Sequence, residues 1–477
     1  MGLFSALNSS AGALDAYQRV LDAIQNNVAN ASTPGYARQT LPLIALPADS
    51  RGDLPGGVTT GQMQSARDQF AEQNVRQQFS ALGTLEQSSQ SLSNLELNFN
   101  VSSDSGVPGA LNQLLQNFSA WSVTPADGSS RQSVLDSAQQ VAQSFQQAAA
   151  NLAKASSDTG QQIQQTVAQI NSLASQLQAD NQQAISNGSN PGLDAQINST
   201  IEQLSEYADI TATTEPNGTV TVLLGGQTPL VIGTDQYNLS VSFTTPPGAP
   251  ATVAGGAAPA RIIDAQGNDV TTHVSQGQLA GELNTYNNVL PSLGGNAYQQ
   301  GDLNLMAQSV ADRINQILTS GNISDGPPPV PGVPLFTYTA GSPTSVARTL
   351  AVNNAITPAQ LAAIAPGPPY VSNGTALQLA ALASPQSPAD EINGLSYAQF
   401  YGNMAAGIGT QSQTAQSQLT VQQQTLAQAR NLRSQSSGVS LNDEAAQLIQ
   451  FQSAYDANSK MVTVLDQLTL ATINMIQ

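Results

Sequence analysis

This sequence predicts a mainly α-helical fold with an inserted β domain: terminal helices forming a coiled coil, an elongated helical bundle in the middle and a small β-rich outer domain. Three observations carry the prediction. Apolar residues recur every seven positions at both chain ends, stripes of helical spacing fill most of the interior, and between residues 210 and 243 the period drops to two.

At the N-terminus Leu7, Leu14, Leu21 and Val28 stand seven apart with Leu3, Tyr17 and Ile24 between them, an a/d seam. A helix from Ser5 to Ala29 would be about 37 Å long at the α-helical rise. NNVANASTPGYARQ, residues 26–39, follows it. Pro34 fixes φ at the second position of a turn and Gly35 supplies the positive φ that a type II turn requires. Asn26, Asn27 and Asn30 tolerate left-handed backbone and hydrogen-bond their own chain. The stretch, with Tyr36 and Arg38 beyond the turn, is expected to end the helix in a compact polar loop that packs between subunits without burying charge.

Helical stripes continue through Val75, Phe79, Leu82, Leu92 and Leu95, through Val134, Ala138, Val141, Phe145 and Leu152, through Ile163, Val167, Ile170 and Leu177, and through Leu193, Ile197, Ile201 and Leu204. Residues 210–243 then alternate apolar and polar around Pro216-Asn217-Gly218 and Gly225-Gly226, a run of hairpins. Residues 244–260 are rich in Pro, Gly and Ala and read as a surface loop, and one more hairpin is expected around Gly267-Asn268. Helical spacing resumes at Leu279 and again at Leu303, separated from the last helices by a Pro-rich stretch from Gly326. In the final helix Leu441, Leu448, Tyr455, Val462, Thr469 and Ile476 keep the interval of seven, with Ala445, Phe451 and Leu465 between. Ser440 is its expected N-cap, and Asp443 and Glu444 read as favourable first-turn charges. The expected division is 1–60 plus 435–477 as a terminal coiled-coil domain, 61–210 plus 277–325 plus 366–434 as a helical domain, 211–276 as the β insertion and 326–365 as an irregular Pro-rich insertion.

Composition narrows the function. Of 477 residues only 9% are charged, and 13 basic against 31 acidic residues leave a net charge of −18, which repels nucleic acid. Amide-rich helix faces suit burial against neighbours. Cysteine is absent and His273 is the single histidine, so neither a disulfide framework, a thiolate metal site nor a cofactor site is expected. No nucleophile elbow accompanies His273. Asp264, Asp269 and Glu282 fall in one region and leave open a carboxylate pair of the glycoside-hydrolase kind, although hairpin turns recruit Asp anyway. The start has neither a basic segment nor an unbroken apolar run, so no cleaved secretory signal is expected, and no stretch is long enough for a membrane span. Because burying one seam and ordering the residues that carry it are opposing terms of similar size, the terminal helices are expected to be marginal alone and firm when stacked against copies or neighbours.

NNVANASTPGYARQ resembles the segment that flagellar rod, hook and hook-associated axial proteins share after their first heptad helix; Asn26, Asn27, Ala29, Asn30, Thr33, Pro34, Gly35 and Tyr36 match it. Arg38-Gln39 is closer to the hook-associated junction members than to rod or hook subunits. Arg67-Asp68-Gln69-Phe70, Pro125 with Arg131, GGQTPLVIG, QGQLAGELNTYNNVLPS, NGTALQLAAL and GVSLNDEAAQLIQFQSAYDANSKMV fall in the order that family shows. The resemblance implies a nonenzymatic axial protein: a ring of copies between hook protein on one side and a second junction protein and the filament on the other. It implies an assembly interface built from Leu7, Leu14, Tyr17, Leu21, Ile24, Val28, Leu441, Leu448, Phe451, Tyr455, Val462, Leu465 and Ile476. It also implies an extracellular site reached through flagellar type III export without a cleaved signal. An export chaperone would hold the last helix at Leu448, Phe451, Tyr455, Val462 and Leu465. The alternatives are another axial subunit, such as hook protein or a flagellin-like chain, and a secreted carbohydrate-active enzyme.

Overall fold

The computed structural model describes residues 3–49, 54–97, 99, 105–188 and 190–475. Its helices are α1 (Leu3–Ala29), α2 (Gln69–Glu96), α3 (Gly106–Val123), α4 (Gly128–Asn187), α5 (Pro191–Tyr207), α6 (Gln278–Asn284), α7 (Leu290–Gly294), α8 (Asp302–Ser320), α9 (Val346–Thr349), α10 (Gly374–Ala381), α11 (Tyr397–Ser437) and α12 (Leu441–Asn474). Between α1 and α2 lie β1 (Gln39–Thr40), β2 (Leu43–Asp49), β3 (Leu54–Thr60) and β4 (Gln64–Ser65). After α5 come β5 (Ile210–Thr214), β6 (Val220–Leu224), β7 (Thr228–Ile232), β8 (Asp235–Gln236), β9 (Ser240–Ser242) and β10 (Arg261–Ile263). The fold is mainly helical with small antiparallel sheets, as the periodicities predict. Two compact units divide the chain, one of residues 1–82, 170–237 and 422–477 and one of residues 83–169 and 238–421.

The first unit unites the two chain ends. α1 and α12 run antiparallel, since Tyr17 meets Phe451 at a ring-centroid distance of 6.2 Å while Asn27, ten residues on, meets Glu444. The most buried residues of α1 are Ser10, Ala13, Ala16, Val20, Ala23, Ile24 and Asn27, not the heptad leucines. Small side chains dominate that list because α1 also lies against the β2–β3 hairpin, where a Cβ on Gly57 would come 2.8 Å from the Ser9 hydroxyl. Leu7, Leu14, Tyr17 and Leu21 are half-buried, and Val28 is exposed.

A four-stranded antiparallel meander, β5–β6–β7–β8, completes this unit. Gly218 (φ 84°), Gly225 (φ 56°) and Gly226 (φ 70°) take the positive φ of the two tight turns. Val220, Val222, Leu224, Leu230 and Val231 are buried, as are Ile170, Leu177, Leu193, Ile197, Ile201 and Leu204 on the helices. The fully buried Asn181 of α4 binds the sheet in place of a backbone neighbour: its amide donates to Val220 O (2.8 Å) and Gly233 O (2.7 Å), and its carbonyl accepts from Val220 N (2.8 Å).

The second unit is built on Leu114, Phe118, Trp121, Val141, Phe145, Met306, Val310 and Ile314, all 0–1% exposed. Two expectations fail here. Residues 211–276 are not one module, because β5–β8 belong with the chain ends while β9 and β10 pair with each other in the second unit. Nor is 326–365 an appended irregular insertion, since Leu335, Phe336, Val346, Leu350 and Leu361 are 0–1% exposed members of the unit's core. Short elements and side chains share the work of satisfying its backbone: residues 336–337 pair with 351–352, and Asn315 accepts from Leu335 N (2.8 Å) and Phe336 N (2.9 Å) and donates to Phe336 O (2.8 Å).

Candidate functional site

The segment after α1 forms a turn of the expected type for a partly unexpected reason. Tyr36 N donates to Thr33 O (3.2 Å) across Pro34-Gly35, and Gly35 has φ 73°. Asn26, Asn27 and Asn30 do not take left-handed backbone conformations. Their side chains do the work: Asn30 Nδ2 donates to Asn26 Oδ1 (2.7 Å) and Asn26 O (3.0 Å), and Thr33 Oγ1 donates to Asn30 Oδ1 (3.1 Å), closing the last helical turn.

Asn27 is the centre of the arrangement. It is 1% exposed, and its Oδ1 accepts from Gln39 N (2.8 Å) and from the Tyr36 hydroxyl (2.9 Å). Its Nδ2 donates to Gln39 O (2.8 Å) and to Glu444 Oε2 (3.1 Å). Glu444, fully buried, takes Arg38 Nε on its other oxygen at 2.7 Å. Burial and, after it, the Glu444 charge raise the Tyr36 hydroxyl above its ordinary value, so it stays protonated and donates. Arg38 N donates to Ser437 O (2.9 Å) and Asp68 N to Ser437 Oγ (3.0 Å), binding the α11–α12 junction to the same knot. Within the chain the loop thus covers a charged group, the Glu444 carboxylate, and pairs it with Arg38. Ser440 does cap α12 through Asp443 N (3.4 Å), but Glu444 is more than a first-turn charge.

A second layer surrounds the turn. Arg67, 12% exposed, donates to Gly35 O (2.7 Å), Asp194 (2.7 Å) and Glu72 (2.8 Å). Glu72 also receives Arg433 at 3.2 Å, and Arg433 is hydrogen-bonded to Glu202. Burial works against the Arg433 charge, but Glu202 and Glu72 outweigh it and hold the guanidinium above its ordinary value. Arg430 stacks over the Phe79 ring at 4.5 Å. Asn27, Gly35, Tyr36 and Arg38 are legible as site residues in the sequence; Glu72, Asp194, Glu202, Arg430 and Arg433 are not. The available signal is scarcity: with 13 basic residues in the whole chain, Arg67 just before α2 and Arg430 and Arg433 on the amide-rich α11 stand out.

Along α12, Leu448, Phe451, Tyr455, Val462 and Leu465 are half-buried and line one stripe. Leu441 is 55% exposed and Val28 44%, so neither is covered at this end of the helix pair. Ile476 lies outside the described residues. On the rest of α12 Ile449, Met461, Val464 and Leu468 are more than half exposed.

The carboxylates of the enzymatic alternative occupy three separate environments. Asp264 closes a turn, accepting from the Asn268 side chain and from backbone amides, and lies below the ordinary carboxylate range for that reason. Asp269 pairs with Arg261 at 3.2 Å. Glu282 is fully buried, bound by Thr166 (2.8 Å) and Gln278 (2.9 Å), and among the described residues its Oε2 has no partner. Burial pushes Glu282 up from 4.5 to about 7. The folded chain thus keeps a proton that the unfolded chain releases, and the stability present below about pH 4.5 is lost as the pH rises to about 7. Glu282→Gln is expected to remove this dependence, leaving stability unchanged at pH 4 and raising it by about 3 kcal/mol at pH 8, measured by urea unfolding at both values. Among the described residues no group of three His, Cys, Asp or Glu could hold a metal ion, and no helix is long and apolar enough to cross a membrane.

Known proteins match the chain in three ways. Residues 92–336 match the family described as the helical domain of flagellar hook-associated protein FlgK. Residues 7–36 match the flagella basal body rod protein family and residues 433–475 the C-terminal family of flagellar basal body rod FlgEFG proteins. Flagellar hook-associated protein 1 of Bacillus subtilis (strain 168) is 28% identical over 99% of this chain and 98% of its own length. The flagellar hook junction protein FlgK from Burkholderia pseudomallei shares the fold at a TM-score of 0.64, covering 76% of this chain and 99% of its own at 14% identity.

Proposed function

This chain belongs to the flagellar hook-associated protein FlgK family, and from that membership we propose that it is a structural axial subunit joining hook to filament, without catalytic activity. A ring of copies would contact hook protein on one side and the second junction protein and filament on the other. The observation that best supports this reading is the knot at Asn27, Tyr36, Arg38 and Glu444, which ties the two chain ends together. The residues that match rod-protein families, 7–36 and 433–475, contain Asn27, Tyr36 and Glu444 of that knot, while the match at 92–336 favours the junction over a hook or rod subunit.

In this reading Leu7, Leu14, Tyr17, Leu21, Ile24 and the α12 stripe pack within the terminal pair. Val28, Leu441 and the exposed Ile449, Met461, Val464 and Leu468 are left for neighbouring copies. Before assembly, a flagellar export chaperone would cover Leu448, Phe451, Tyr455, Val462 and Leu465. The protein would reach its extracellular position unfolded and without a cleaved signal. Complementation of a strain lacking this gene tests the proposal. The full chain should restore swimming and a continuous hook–filament boundary in electron micrographs, whereas chains lacking 1–60 or 435–477 should leave hooks without filaments. Swimming restored by both truncations would overturn it. Hydrogen exchange on the free protein should show weak protection over 455–474, and strong protection there would count against assembly-coupled ordering.

A further inference from the structure

Within the second unit, α4, Phe243 and the 255–259, 286–296 and 344–348 segments line a cavity of about 500 Å³. We propose that this cavity binds a carboxylate-bearing saccharide, a hexuronate-containing glycan unit.

Its volume lies in the range of small-molecule sites, roughly 300–1,000 Å³. Two aromatic rings, Phe243 and Tyr286, line it 5.4 Å apart and tilted by 58°, and both are half-exposed where a core aromatic would be covered. They rest on α4 at Gly160, where a Cβ would stand 3.3 Å from the Tyr286 ring and 3.5 Å from that of Phe243. Half-exposed rings beside amides are suited to a sugar, whose C–H face packs on the ring while its hydroxyls find polar partners. The amides are present. Gln161 and Gln164 on α4 are exposed and make no hydrogen bond to other described residues. Asn296 uses its carbonyl to accept from Tyr298 N (2.8 Å) and Gln299 N (3.1 Å), and among the described residues its amide donors have no partner.

Charge selects the class of sugar. Arg348 lines the same cavity, exposed and without an ion pair among the described residues, in a chain of net charge −18. An unpaired guanidinium recognises a carboxylate through two parallel N–H donors. One cation is too few for a polyphosphate, and a lipid chain would leave the Gln161, Gln164 and Asn296 amides and the Arg348 guanidinium without partners.

The walls are fixed in advance. Residues 244–260, expected to be a surface loop, are held by Thr252 N and Val253 N to Ala297 O (2.8 and 2.9 Å), by Ala297 N to Ala257 O (2.9 Å), and by Asn287 to both backbone groups of Ala260. A Cβ on Gly256 would come 2.1 Å from Asn296 O, so backbone meets backbone there and the wall cannot loosen without breaking this contact.

Ligand-observed saturation-transfer NMR and calorimetry on the full chain, with α-1,4-digalacturonate and neutral α-1,4-digalactose as probes, test the proposal. Digalacturonate should bind at least tenfold more tightly than digalactose. Arg348→Ala should bring the acidic sugar down to the neutral one, and Phe243→Ala should weaken both at least tenfold. Arg348→Ala alters an exposed side chain and keeps the test valid even if Phe243→Ala unfolds, which a thermal melt would reveal. No binding of digalacturonate, equal binding of the two sugars, or binding of digalacturonate that Arg348→Ala leaves unchanged would overturn the proposal. Both variants should still support swimming, so failure of this proposal is distinguishable from failure of the junction reading.

Discussion

Glu444→Ala is expected to release α12 from the N-terminal segment. Glu444 is fully buried and holds Arg38 on one oxygen and Asn27 on the other, so truncation leaves a guanidinium and a buried amide without their acceptor. Removing one partner of a buried pair costs about 3–5 kcal/mol, and because Arg38 retains 29% exposure the lower end of that range, about 3 kcal/mol, is expected. Glu444→Gln keeps an acceptor for one neighbour and should cost less. A double-mutant cycle with Arg38→Ala would isolate the pair, since deleting both partners together should cost less than the sum of the two single changes. Urea unfolding gives the magnitude, and hydrogen exchange should show the loss of protection concentrated at the start of α12 and in residues 26–39. In a cell, Glu444→Ala should reduce swimming at unchanged synthesis of the protein. Wild-type stability in that variant would remove the knot from the account of how the chain ends hold together.

Gly35→Val is expected to be at least as damaging, for two reasons that add. At φ 73° a β-branched residue is strained by about 1–3 kcal/mol. The space is also closed: a Cβ there would sit 2.2 Å from Ala195 O and 2.9 Å from Ser199 N, both backbone atoms of α5. Accommodating it means moving the turn off α5, which also pulls Gly35 O from Arg67 and so disturbs Arg67's hold on Asp194 and Glu72. Gly35→Ala separates the two causes, because it tests the clash with less strain in the side chain itself. Both variants should unfold at lower urea concentration than wild type, Gly35→Val more so, and neither should form a continuous hook–filament boundary. Normal assembly of Gly35→Val would show that the turn is dispensable.

Much of this arrangement is legible in the sequence. Pro34-Gly35 announces a turn because so few residues satisfy its dihedral angles, and Gly218, Gly225 and Gly226 mark the hairpins for the same reason. The helices followed from apolar spacing. The leucine seam of α1 proved a poorer guide to burial, since period seven identifies a face but not how many partners cover it. Ala13, Ala16 and Ala23 are buried while the heptad leucines are only half-buried, because α1 is covered by the β2–β3 hairpin as well as by α12. Glu444 was read as a local charge because a first-turn acid is adequately explained by its own helix. Its real partners lie 406 and 417 residues away in sequence, beyond the reach of any periodicity. The Pro-rich segment was misjudged for a related reason: Leu335, Phe336 and Leu350 follow no regular spacing, and they are core because Asn315 and its neighbours satisfy the intervening backbone.

By itself, then, the sequence determined the kinds of element, the turn at Thr33–Tyr36 and membership of the axial family, because helix period, glycine dihedrals and short contiguous motifs are properties of neighbouring residues. Tertiary structure alone decided that Asn27 and Arg38 meet Glu444, that Arg67 ties Gly35 to α5, and that an arginine, two aromatic rings and a set of amides share one cavity. Those contacts depend on where distant segments meet in space, and a carboxylate's partners are selected by burial and geometry that no local pattern encodes.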